Sequence, residues 1–190
     1  MSSRSSVSPA LPDDLAWSIV RSDVDERLRD ELTICWADVS NAGGAVGFPV
    51  TPVSFSDVRP AVDELAAKVA VGECALVVAG DAAGTCGWVV LQRNTFALTT
   101  HWGWVRRLQV HPRRQRQGIA RELLRRLEQV ARDEWRLEFL QLVLRGGLGL
   151  ENFYDRLGWR EVGRIPGALR AGDGDDRDEV HMVKPLAGIW

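Results

Sequence analysis

Between Trp104 and Arg132 the hydrophobic pattern changes from a strand period to a helix period, and a short basic loop bridges the change. Trp104–Val110 reads as a strand that ends at His111-Pro112, because proline has no N–H to give to a sheet ladder. From about Gly118 to Arg132, Ile119, Ala120, Leu123, Leu124, Leu127, Val130 and Ala131 form one apolar helix face. Arg121, Glu122, Arg125, Arg126 and Glu128 fall largely on the other. A loop at a helix N-terminus exposes unpaired backbone N–H groups and the positive end of the helix dipole, and that combination binds phosphate. Gly118 permits close approach of backbone to ligand, Ala120 is small for the same reason, and the loop arginines add positive charge. These residues predict a phosphate-containing ligand at Gln115–Ala120. The chain has no Gly-Lys-Ser/Thr, which excludes a P-loop, and no Gly-x-Gly-x-x-Gly at a strand end.

The flanking segments complete the expected architecture. The chain has 190 residues, a length that fits one domain. Residues 1–11, rich in Ser and Pro, read as a disordered tail, leaving 12–190 as a single domain. Asp23–Asp38 carries Val24, Leu28, Leu32, Cys35 and Trp36 at helical spacing. Asn41–Pro49 is too rich in glycine to continue that helix. Val58–Val69 reads as a second helix with Ser56 as its cap. Ala75–Ala79 and Cys86–Gln92, around the turn Asp81–Gly84, read as an antiparallel hairpin. After the long helix come a strand at Glu138–Leu144, a short helix at Leu150–Leu157 stopped by Gly158, and closing strands at Trp159–Val162 and Val180–Lys184. This order predicts an α/β (α+β) fold, a central twisted mixed sheet flanked by helices.

Composition narrows the partners. The net charge of −2 supplies no global basic field for nucleic acid. No apolar run approaches the roughly 20 residues that span a bilayer, so no membrane partner is expected. The three cysteines are far apart and form no C-x-x-C pair, which predicts reduced thiols, no metal and a cytoplasmic setting.

The segment Leu108–Ala120 resembles the GNAT superfamily of acetyltransferases, whose Gln/Arg-x-x-Gly-x-Gly/Ala pattern is met by Gln115, Gly118 and Ala120. The resemblance implies acetyl-CoA as cofactor. Its pyrophosphate would lie on the loop and helix start, Gln115, Arg116, Gln117, Gly118, Ile119, Ala120 and Arg121. Its pantetheine arm would pair with the strand backbone at Leu108, Gln109 and Val110. A second motif, Phe153-Tyr-Asp-Arg-Leu-Gly-Trp159, is similar to the family's Phe-Tyr-x-x-Leu-Gly-Phe. It implies that Tyr154, the only tyrosine, protonates the departing thiolate. A phenol with a pKa of about 10 suits that task. Gly147 stands where many members place an asparagine.

An amine must lose a proton before it attacks an acyl group. Several members use a glutamate on the strand before the loop, but Trp104 occupies that position here. His101, Glu138, Asp38 and solvent are the alternatives. The acidic run Asp173, Asp175, Asp176, Asp178 and Glu179, between the last two strands, would attract a polycation. Trp102 and Trp104 could add a flat apolar wall. The stretch Gly158–Gly167 is similar to the antibiotic- and toxin-resistance branch, such as tabtoxin-resistance and kasugamycin-type aminoglycoside acetyltransferases. The expected activity is therefore N-acetylation of a small cationic amine such as an aminoglycoside, with a homodimer allowed. The alternatives are a protein or peptide N-acetyltransferase and a non-catalytic coenzyme-A-binding regulatory domain.

Overall fold

Three long helices pack on the two faces of a seven-stranded sheet whose one end is a long β-hairpin. The structure is a computed structural model that describes residues 11–44, 47–48, 51–172 and 174–186. In chain order the elements are β1 (Ala16–Val20), α1 (Glu26–Asn41), α2 (Phe55–Ala70), β2 (Cys74–Asp81), β3 (Gly84–Arg93), β4 (Trp102–Val110), α3 (Ile119–Gln129), β5 (Phe139–Arg145), α4 (Leu150–Asp155), β6 (Arg160–Arg170) and β7 (Asp176–Pro185). Strand order is β1-β2-β3-β4-β5-β7-β6. Every neighbouring pair is antiparallel except β4 and β5, which run parallel and pair only at Trp102–Phe139, Gly103–Leu140 and Trp104–Gln141. This is the mixed sheet expected from the sequence.

Each face has its own core. Ile119, Leu123, Leu124 and Leu127 of α3 pack on Val89, Leu91, Leu140 and Leu142. On the opposite face Leu32, Cys35 and Trp36 of α1 and Val58, Val62 and Val69 of α2 pack on Leu76, Trp88 and Val90. The apolar stripes at helical spacing dictated both sides.

Three expectations need correction. Ser54, not Ser56, caps α2. Its hydroxyl accepts from the Asp57 N–H at 3.3 Å while the Asp57 carboxylate accepts from the Ser54 N–H at 2.8 Å. This reciprocal pair starts the helix earlier than the apolar pattern does. The edge strand β1 was not foreseen, because five half-exposed residues carry too weak an alternation. Finally, β6 and β7 continue well beyond Val162 and back before Val180. Cross-strand ion pairs, Arg170 with Asp176 and Arg164 with Asp178, neutralise the charges that suggested a loop. The expected tail lies, apart from Leu11, outside the described residues.

Candidate active site

The short β4–β5 pairing builds the site. Beyond Trp104 and Gln141 the two strands part, and a cleft of about 860 Å³ opens between them. A bulge sharpens the opening: Trp88 and Val90 on β3 pair with Gln109 and Arg106, so β4 carries an extra residue, and Arg107 takes a left-handed φ of 58°. Above the parting, β4 offers its backbone to the cleft instead of to β5. An extended ligand arm could bond there as an added strand does.

One end of the cleft is made by α3. Its N-cap, Gly118, has a φ of 82°, which suits glycine, and no side chain caps the helix. The first-turn N–H groups, Ile119 and Ala120 among them, have no partner within the helix. The loop before them is pinned by Asp81, whose side chain is only 2% exposed and meets Arg113 at 2.5 Å and Arg114 at 2.8 Å. Burial alone would raise the Asp81 pKa, but hydrogen bonds from Arg113, the Ala83 N–H and Arg114 outweigh it and hold it at about 2. Arg114 also pairs with Asp14. Gln115 Nε2 donates to the Val110 carbonyl at 3.1 Å, bracing the turn.

The cleft gathers Leu108, Gln109, Val110, Gln115, Ala120 and Tyr154. Gly118 and Arg121 lie in an adjoining groove with Arg125, Arg156 and Lys184, where Glu122 pairs with Arg125 and Glu128 with Lys184, leaving an excess of cations beside the helix start. The Ile119 side chain belongs to the core, so only its backbone can face a ligand. Arg116, with a φ of 62°, and Gln117 stand outside both recesses. A pyrophosphate-bearing cofactor with an extended arm fits this set: an uncapped helix start, cations beside it and an open strand edge.

Tyr154 projects from α4 into the same cleft. It is 9% exposed and meets Phe153 and Trp159 edge-on, at 5.1 and 5.8 Å between ring centroids. Its hydroxyl has no hydrogen-bond partner among the described residues. Burial pushes its pKa well above the ordinary phenol value, so the group stays protonated and can act only as an acid.

The expected acceptor residues are placed differently. Asp173 lies outside the described residues. Asp175 pairs with Arg177, Asp176 with Arg170, Asp178 with Arg164, and Glu179 with His181 at 2.9 Å. None of the four lines the cleft. Trp102 stacks on Phe139 at 5.5 Å, and Trp104 donates from Nε1 to Asn94 Oδ1 at 2.9 Å. Both tryptophans sit at the closed end, where β4 and β5 are still paired. The candidate bases also miss the cleft. Asp38 holds His111 Nε2 at 2.9 Å, and His101 and Glu138 flank the closed end.

The sequence reading missed what does line the far wall: Glu64 and Lys68 of α2, Arg106 and Arg107 of β4, and Arg145 of β5. Two adjacent arginines inside an otherwise apolar strand were the available signal, since a strand residue with a buried neighbourhood rarely carries a charge without cause.

The comparisons with known proteins agree with this geometry. The profile of the Acetyltransferase (GNAT) family matches residues 25–159. No curated protein is similar enough to count as a relative. Among solved structures, yncA, a candidate acetyltransferase from Salmonella typhimurium solved with its cofactor acetyl-CoA, is 17% identical with a TM-score of 0.70, covering 91% of this chain and 95% of that one. A candidate phosphinothricin N-acetyltransferase is 17% identical with a TM-score of 0.68, covering 90% and 99%. A spermidine N-acetyltransferase chimera, from Vibrio cholerae SpeG and hSSAT, is 16% identical with a TM-score of 0.62, covering 91% and 96%. At such identities these structures establish the fold, and the family match supplies the chemistry. The chain belongs to the GNAT acetyltransferase family, and it is an acetyl-CoA-dependent N-acetyltransferase.

Proposed function

We propose that the β4–β5 cleft transfers acetyl to a primary amine of a small molecule, with Tyr154 as the acid. One observation carries this reading: the hydroxyl of the buried Tyr154, without a hydrogen-bond partner among the described residues, shares a single cleft with the open β4 edge and the uncapped start of α3. Acetyl-CoA supplies an activated thioester when bound. The α3 N-terminus and its loop hold the phosphates, and β4 backbone from Leu108 to Val110 orients the arm. Tyr154 donates its proton to the sulfur that leaves. Glu64 is the one carboxylate among the described cleft-lining residues. Its hydrogen bond to Lys68, at 2.6 Å, holds its pKa below the ordinary value, which makes it a weak base. The amine proton therefore passes to solvent through the open end.

The expectation of a polycationic acceptor such as an aminoglycoside has less support, because the described hairpin acids are already paired within the chain. Phosphinothricin, an amino acid with a phosphinate, and spermidine, a polyamine, are opposite in charge. Proteins named for both share this fold, so the fold leaves the sign of the acceptor to side chains. Cys35, Cys74 and Cys86 are buried free thiols, which supports a reducing, cytoplasmic setting. The test is thiol release from acetyl-CoA across a panel of amines. Amine-dependent release supports transfer. Tight acetyl-CoA binding with no acceptor-dependent release across the panel would leave a coenzyme-binding domain instead.

A further inference from the structure

The far wall of the cleft is cationic in a chain whose net charge is −2. Among the described residues Lys68, Arg106, Arg107 and Arg145 line it with one carboxylate, Glu64, which Lys68 engages; Glu179 stands outside the lining but its charge still reaches Arg106. These residues converge from three elements, α2, β4 and β5. Arg107 lies over the Trp36 ring, its guanidinium 4.4 Å from the centroid, and fills the space that a side chain at Gly47 would take. It is a packed cation that adds to the field. Arg106 and Arg145 differ, because neither has a carboxylate partner among the described residues. Arg106 lies over the Trp104 ring, its guanidinium carbon 4.2 Å from the centroid, a cation–π contact that restrains its head. Its head is open to solvent in the cleft, yet the walls displace enough bulk water to pull its pKa below the ordinary guanidinium value. Arg145 faces Glu179 across the β5–β7 ladder, but Glu179 is hydrogen-bonded to His181.

The coenzyme does not account for these charges. Its phosphates are assigned to Gln115–Ala120, while Arg106 is four residues back from Val110, roughly 13 Å along the strand at about 3.3 Å per residue; Arg145, four residues past the last β4–β5 rung at Gln141, stands about level with Leu108, beside the uncharged arm and not the phosphates. The wall opposite the donor loop, next to α2, is the part of the cleft that the coenzyme assignment leaves for an acceptor. Low-dielectric walls of one sign concentrate ligands of the other sign and repel like charges.

From this we infer that the acceptor is a small amine that also carries an acidic group, a carboxylate or a phosphonate, held by Arg106 and Arg145 while its amine points toward the thioester. A guanidinium restrained over a ring can meet such a group with two parallel hydrogen bonds. A polyamine would face four cations here.

The inference rests on the N-acetyltransferase reading, and the experiment separates the two. Acetyl-CoA turnover is measured with matched pairs: glutamate and its dimethyl ester, a ω-aminocarboxylate and its ester, 2-amino-4-phosphonobutyrate, and 1,4-diaminobutane. In parallel, binding of each acid to the coenzyme-A-loaded protein is measured by calorimetry. The acid of each pair is expected to be preferred over its ester by about tenfold or more, the scale of one charge-assisted contact. Arg106→Gln should raise the KM for the best acid by a similar factor and leave the KM for acetyl-CoA unchanged. Arg145→Gln should do the same. Glutamate against the phosphonate tells which acid group the pair of arginines prefers. If the ester or diamine is the better acceptor, or if both glutamine variants keep the acceptor KM, the inference is overturned while transfer stands. If no amine turns over, the transferase reading falls, and the calorimetric arm still decides: acid binding that weakens in Arg106→Gln upholds the anion site, and its absence removes it.

Discussion

The two ends of the cleft are built from different materials. The donor end is backbone: an open strand edge, a helix start and a glycine in a left-handed conformation. The far end is side chain: arginines and a lysine set on α2, β4 and β5. Backbone recognition tolerates sequence change wherever the fold persists, so one donor can be shared by very different acetyltransferases. Side-chain recognition can be exchanged residue by residue, which lets the acceptor vary on the same frame.

The largest test of this contrast lies where the ends meet. Tyr154→Phe should lower turnover by about 10²–10⁴ and leave acetyl-CoA affinity nearly unchanged in calorimetry. The raised phenol pKa adds a second readout: turnover of the unaltered protein should show no loss from phenol ionisation through the neutral and mildly basic range. Unaltered turnover in the variant would reduce Tyr154 to a packing residue.

Acid should break the donor end first. Asp81 has a folded pKa of about 2, below the roughly 3.9 of an unfolded aspartate. Its contribution is therefore present above about pH 4 and is lost as the pH falls toward 2. That shift is worth about 2 kcal/mol. Asp81→Asn should flatten the acid limb of stability by this amount and loosen the loop held by Arg113 and Arg114. The arginines of the far wall do not titrate in that window, and its carboxylate, Glu64, forms an exposed pair with Lys68 that contributes little, so an equal acid sensitivity at both ends would contradict the comparison.

Gly118→Val, at a φ of 82°, should weaken acetyl-CoA binding by about tenfold, or 1.4 kcal/mol, with the tryptophan emission maximum and the circular dichroism of the fold retained. By contrast Gln115→Ala, which alters a side chain at the same end, should matter less.

The smallest effect is expected at the hairpin. Asp176→Asn and Asp178→Asn break exposed pairs with Arg170 and Arg164. Acceptor KM should stay within about twofold, since exposed pairs contribute little. A large rise would return these acids to the acceptor site.

The donor end was legible in the sequence because it is local. Gln115, Gly118, Ala120 and the α3 face lie within one strand–loop–helix unit, and the helical period of Leu123, Leu124 and Leu127 displays which side is buried. Tyr154 was legible as part of a short motif. The far wall was not, because Lys68, Arg106 and Arg145 meet only through the parting of β4 and β5, a register that no local pattern encodes. The acidic run misled for a related reason. Its partners Arg164 and Arg170 lie on the other strand of the hairpin, so the neutralisation appears only when the two strands are paired.

The three rungs that join β4 to β5 have a consequence beyond opening the cleft. They make the sheet two panels, each held by longer ladders of its own, fastened along one short seam. An arm lying on the β4 edge, as proposed, would bridge those panels, so occupancy and cohesion would be thermodynamically linked. Any ligand that binds only the folded chain stabilises it, by about 2.7 kcal/mol at a hundredfold excess over its dissociation constant. Here that gain falls on the weakest seam. The resistance of the C-terminal panel to opening, followed by amide exchange in β5 and β7, becomes a gauge of how much coenzyme surrounds the protein.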